Sequence, residues 1–111
     1  MKIGITEYID CAHYLPDHDR CNRLHGHTYK VEVAITGDKP AGMVMDFAEL
    51  RKTVKACLAE FDHHSWNDFL HYPSVENICE LLAARLRESL PGPLVVRVWE
   101  GEGKWAELSA P

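Results

Sequence analysis

Two stretches of strict alternation constrain this chain more than any other feature. In residues 2–14, Ile3, Ile5, Ile9, Cys11 and His13 share one parity, while Lys2, Thr6 and Asp10 share the other. In residues 25–36, Tyr29, Val31, Val33 and Ile35 face one way, and Thr28, Lys30, Glu32 and Thr36 face the other. A period of two belongs to a strand with one buried face, so each run predicts a half-buried β-strand. The polar segment 15–24, "LPDHDRCNRL", predicts the loop between them. Gly37-Asp38-Lys39-Pro40 ends the second strand, and Met43-Val44-Met45 is expected to form a short third one.

Helical periodicity follows. Asp46 is placed to cap free N–H groups, with Glu49 completing a capping-box-like pattern. Phe47, Leu50, Val54, Cys57, Leu58 and Phe61 then recur at helical spacing. Beyond the break "DHHSWNDFLHYP", Ser74 caps a second helix with Val75, Ile78, Leu81, Leu82 and Leu86 as its apolar face, and Pro91-Gly92-Pro93 stops it. Residues 94–100 predict a strand, Gly101-Glu102-Gly103 a turn, and Lys104 to Leu108 the returning strand of a hairpin. The order ββααββ predicts an α+β fold, an antiparallel sheet with two helices on one face. The bare edges of such a sheet predict an oligomer joined edge to edge.

The length, 111 residues, suits one domain over 1–111. A net charge of −5 with no basic stripe argues against a nucleic-acid binder. No apolar run approaches the roughly 20 residues of a membrane span. There is no basic-then-apolar leader, so a cytoplasmic location is expected, with the four cysteines as thiols rather than disulfides.

The seven histidines lie in two stretches, 13–27 and 63–71. His25 and His27 share a strand face with Tyr29, and His13 shares the apolar face of the first strand. If the two strands pair through the 15–24 loop, three neutral imidazoles converge, a set that suits zinc at about 2.0–2.1 Å per nitrogen. The alternative is three core histidines satisfied by backbone groups. Cys21 has two roles open to it: fourth ligand of a closed site, or nucleophile or base beside an open one. Cys11, Cys57 and Cys79 read as inert core residues. Asp62 beside His63 fits an oriented imidazole, or equally a solvated helix end. Glu100 shares the parity of Leu94, Val96 and Val98, so a carboxylate stands at the apolar face, either for a ligand's N–H pair or as a rim residue.

Together these pieces resemble the 6-pyruvoyl-tetrahydropterin synthase family, and within it the queuosine-pathway branch that makes 6-carboxy-5,6,7,8-tetrahydropterin. The likeness is carried by Ala12-His13-Tyr14-Leu15-Pro16, by Cys21-x-x-x-His25-Gly26-His27 and by Met45-Asp46-Phe47-Ala48-Glu49-Leu50. It continues through Asp62-His63-His64, Asn67-Asp68, Pro73-Ser74-x-Glu76-Asn77 and Val98-Trp99-Glu100. The three residues between Cys21 and His25 match the queuosine branch. Ile9, Cys11, Ser74 and Gly101 depart from the family's usual residues.

The resemblance implies a tunnelling fold (T-fold), with trimers closing a barrel and two trimers stacking into a homohexamer. It implies zinc at His13, His25 and His27, Cys21 as proton acceptor, and Asp62 with His63 as a relay from a neighbouring subunit. Glu100 would anchor the pterin and share in the relay, and Ser74 would add a pterin contact. The implied substrate is 7,8-dihydroneopterin triphosphate, with Arg20, Arg23, Lys30 and Lys104 as candidates for its phosphates. The implied alternatives are a pyruvoyl-forming or other dihydroneopterin-processing enzyme and, in another class, a non-catalytic zinc-stabilised module.

Overall fold

Both alternating runs form long strands that pair with each other. In the computed structural model, which describes residues 1–111, β1 spans Lys2–His13 and β2 spans His25–Thr36. They are antiparallel, with Lys2 opposite Thr36 and His13 opposite His25. β3 (Leu94–Glu100) adds to the other side of β2, and β4 (Trp105–Ala110) adds to β3. The sheet order is β1-β2-β3-β4, antiparallel throughout.

Two helices, α1 (Phe47–Leu58) and α2 (Val75–Arg87), pack on the apolar face. Asp46 caps α1 by accepting from the Ala48 N–H at 2.7 Å, and Ser74 caps α2 by accepting from the Asn77 N–H at 3.2 Å. Leu50, Val54 and Leu58 of α1, and Ile78, Leu82 and Leu86 of α2, bury against Val31, Val33, Val96 and Val98 of the sheet. Each such fully buried aliphatic side chain contributes about 1.5–3 kcal/mol.

Three expectations are corrected and one is refined. Met43-Val44-Met45 forms a bend and not a strand; Val44 and Met45 serve as partial cover for the core. Phe47 is 55% exposed in the first turn of α1, whereas Phe61 is buried although α1 ends three residues before it. The His-rich break contains a single 3₁₀ turn, Trp66–Asp68, which buries Trp66. β4 also runs two residues past Leu108.

The segment after α1 closes part of the β1 edge. The His63 N–H donates to the Asp10 carbonyl at 2.7 Å, the Ala12 N–H donates to the His64 carbonyl at 3.1 Å, and Ala12 bridges Ser65 in parallel. Asn67 then takes both peptide groups of Tyr14, accepting its N–H and donating to its carbonyl, each at 2.9 Å. The end of β1 that carries His13 is thereby held from outside the sheet.

Candidate metal centre

The register places the histidines without further adjustment. His13 and His25 are directly opposite, His27 is one same-face step along β2, and Tyr29 lies beneath them opposite Glu100 of β3. One ligand atom from each of His13, His25 and His27 lies within 4.8 Å of the other two. The rings meet edge to face, with centroids 4.7–5.1 Å apart.

Backbone carbonyls set the tautomers. His13 Nδ1 donates to the Pro73 carbonyl at 2.8 Å, and His25 Nδ1 donates to the Arg23 carbonyl at 2.7 Å. In each ring this leaves the Nε2 lone pair free, the usual outer support of a metal-binding imidazole. The Nε2 atoms of His13 and His27 are buried and have no hydrogen-bond partner. Burial lowers the pKa of both rings below the usual 6.5, against the opposing pull of the Glu100 carboxylate on each and of the Pro73 carbonyl on His13. Both are therefore neutral and able to ligate at neutral pH.

Glu100 faces this group. Its carboxylate oxygens lie 3.9 Å from His13 Nε2 and 3.7 Å from His27 Nε2, and its side chain is only 15% exposed. Lys104 Nζ approaches Glu100 Oε1 at 3.4 Å, brought back by a turn in which Gly101 and Gly103 both adopt positive φ. Of the four candidate cations, Lys104 thus stands at the site. Lys30 does not: it lies on the opposite sheet face, 3.3 Å from Glu32 and over the Trp99 ring. Arg20 and Arg23 are on the exposed 14–24 loop.

Cys21 is half-buried on the same loop and outside the ligand group. Asp62 Oδ1 accepts from the Asp10 N–H at 2.9 Å and lies 3.0 Å from His63 Nδ1. His63 takes a positive φ of 64° and its side chain is 77% exposed. His27 and His63 both line an open cavity of about 440 Å³ at the β1 edge. Ser74 Oγ is engaged as the α2 cap, one residue from the carbonyl that orients His13.

Three supporting groups were not legible as functional in the sequence: Asn67 on Tyr14, the Pro73 carbonyl on His13, and His18 on the Cys21 loop. Backbone carbonyls carry no side-chain signal, and the Asn67 and His18 contacts depend on tertiary placement and loop folding.

The sequence profile described as 6-pyruvoyl tetrahydropterin synthase matches residues 2–111. The chain belongs to this family. It is 44% identical over 109 residues to a protein of Archaeoglobus fulgidus named "Putative 6-carboxy-5,6,7,8-tetrahydropterin synthase", covering 97% of this chain and 95% of that one. It is 36% identical over 102 residues to the "Dihydroneopterin monophosphate aldolase" of Pyrococcus furiosus, covering 89% of each. The 6-pyruvoyl tetrahydropterin synthase of Caenorhabditis elegans superposes with a TM-score of 0.85 at 19% identity, over 100% of this chain and 96% of that one. The chain therefore has the fold of this family, the T-fold expected from the sequence.

Proposed function

We propose that this family member is a zinc-dependent lyase converting 7,8-dihydroneopterin triphosphate to 6-carboxy-5,6,7,8-tetrahydropterin, with loss of triphosphate and acetaldehyde, in queuosine (7-deazapurine) biosynthesis. The observation that carries the reading is the histidine trio, whose ligand atoms cluster within 4.8 Å while two buried Nε2 atoms have no partner. Unpartnered buried polar atoms are costly, and one cation among them removes that cost. His13, His25 and His27 would hold zinc, with a fourth position left for substrate. When bound, zinc supplies a Lewis acid that makes the substrate's side-chain hydroxyls more acidic.

Cys21 is the proposed proton acceptor. Its place on the loop leading into His25, outside the ligand group, fits a base better than a fourth ligand. Asp62 holds His63 by Nδ1 and leaves Nε2 to carry a proton. The exposure of His63 suits delivery to the site of a neighbouring subunit. Glu100, aimed at the imidazoles, is proposed to handle protons beside the reacting side chain. Glu100 is also the proposed anchor of the pterin's N–H edge, for which its carboxylate offers two acceptor oxygens. Ser74 has a hydroxyl proton to offer the pterin, and Lys104 is the proposed phosphate contact.

The same reading makes 1–111 one catalytic domain acting in the cytoplasm as a hexamer of two stacked trimers. The outer edge of β4 and the part of the β1 edge before the 62–65 segment support edge-to-edge closure. No helix is long and apolar enough to cross a membrane.

The end-to-end likeness to the Pyrococcus aldolase favours a second reading. In that reading, a base on the second side-chain hydroxyl would drive retro-aldol cleavage of dihydroneopterin monophosphate into 6-hydroxymethyl-7,8-dihydropterin and glycolaldehyde phosphate. Mass analysis of products from zinc-loaded protein given each phosphate ester separates the two. The expected product is 6-carboxytetrahydropterin from the triphosphate. A hydroxymethyl product from the monophosphate installs the second reading, a pyruvoyl product marks the biopterin-type reaction, and no turnover of either ester removes the pterin assignment.

A further inference from the structure

We propose that His18 is a positioning residue for Cys21, acting on the loop backbone and not on the substrate. The inference rests on the reading of Cys21 as proton acceptor.

Residues 14–24 join two histidines that stand directly opposite each other, so the loop must fold back on itself without help from a strand or helix. It does so around one imidazole. His18 Nδ1 accepts the N–H of Cys21 at 3.0 Å and that of Arg20 at 3.2 Å. The His18 N–H donates to the Leu15 carbonyl at 3.2 Å, and the Leu15 N–H donates to the Cys21 carbonyl at 2.7 Å. Asp17, at a φ of 63°, makes the reversal between them. Cys21 therefore has both its N–H and its carbonyl tied within the loop, although residues 17–20 around it are exposed.

His18 is not part of the ligand group formed by the other three histidines of this stretch. Because Nδ1 accepts, the ring carries its proton on Nε2. The role is one that Asn or Asp fills in ordinary turns, where a side-chain oxygen accepts from the N–H groups two and three residues on. Asparagine can imitate it, since Oδ1 stands as many bonds from the backbone as Nδ1. Alanine cannot. Without the acceptor, the Arg20 and Cys21 N–H groups turn to water and only the Leu15 contact restrains Cys21. A base must stay within hydrogen-bond reach of its proton, and misplacement by about 1 Å can cost about 10²-fold in rate.

The test uses full-length, zinc-loaded His18→Ala and His18→Asn proteins. Amide hydrogen exchange at Arg20 and Cys21 is followed by NMR, beside zinc content, kcat and KM. In His18→Ala, exchange at both amides is expected to quicken about tenfold, as loss of a net hydrogen bond implies. Its kcat should fall about 10–100-fold, with zinc content unchanged and KM within about twofold. His18→Asn should restore exchange and kcat together. Unchanged exchange in His18→Ala overturns the proposal. So does faster exchange with an unchanged kcat, or an Asn variant that restores protection but not turnover. If the wild-type protein turns over neither dihydroneopterin ester, the pterin reading fails, and exchange alone still upholds or overturns His18 as the loop's acceptor.

Discussion

The three imidazoles and Cys21 occupy one end of the sheet but are held in different ways. His13, His25 and His27 stand on paired strands, where register alone fixes which side chains meet, and two of the rings are oriented by carbonyls. Cys21 stands on irregular backbone, as does His63, and each depends on a local device: the His18 acceptor in one case, a positive φ and the Asp62 carboxylate in the other. Both chemistries demand fixed placement: a metal site tolerates little change in ligand spacing, and a base must stay within hydrogen-bond reach of its proton. Strand pairing supplies it for the ligands, and side-chain bonds to loop backbone supply it for Cys21.

The largest effect should come from breaking the strand-borne half. His13→Ala, His25→Ala and His27→Ala should each reduce bound zinc to near zero and take activity with it. Elemental analysis of the purified variants measures this, and retention of full zinc by all three would end the metal assignment. Cys21→Ala should leave zinc and assembly intact while lowering turnover by about 10²–10⁴-fold, the usual contribution of a general acid or base. Zinc lost along with activity would make Cys21 a ligand and erase the contrast between the two regions.

Glu100→Gln probes the boundary between them. A mispaired buried polar group costs about 1–3 kcal/mol, roughly 5–150-fold, and the loss should appear in affinity for a non-reactive pterin, with zinc unchanged. Calorimetry measures this, and unchanged affinity would mean that Glu100 does not hold the ring.

The smallest effect concerns the thiols of the core. Burial raises Cys11 to about 12 and Cys57 and Cys79 to about 11, from an ordinary 9.0. A thiol raised in the folded state binds its proton there more tightly than in the unfolded chain. Its stabilising contribution is therefore complete below pH 9 and declines as pH climbs toward 11–12. Urea midpoints should fall steadily between pH 9 and 10.5, and peptide mapping at pH 8 should find iodoacetamide on Cys21 well before the other three. A flat pH profile, or Cys57 labelled first, would contradict this division.

Much of the site was legible because alternation determines facing. Once residues 2–14 and 25–36 are strands, the parity of His13, His25, His27 and Glu100 follows, and the observed register confirms that they converge. What was illegible depends on tertiary choices. Met43-Val44-Met45 looks strand-like but packs Val44 and Met45 against the core from a bend, and Lys30 has the right charge on the wrong face. His18 looks in sequence like one more member of a metal-binding stretch; its true contact is with peptide groups two and three residues away, a relation set by loop folding.

The segment 62–65 on the rim of β1 has one more consequence. Its bonds to Asp10 and Ala12 use up the outward peptide groups at that end of the strand. Past Tyr8, the outward side of β1 is thus taken by the chain's own segment 62–65. That segment and the Asp62–His63 pair are the same stretch of chain. An added strand would therefore meet the chain's own backbone at that end of the rim, beside His63.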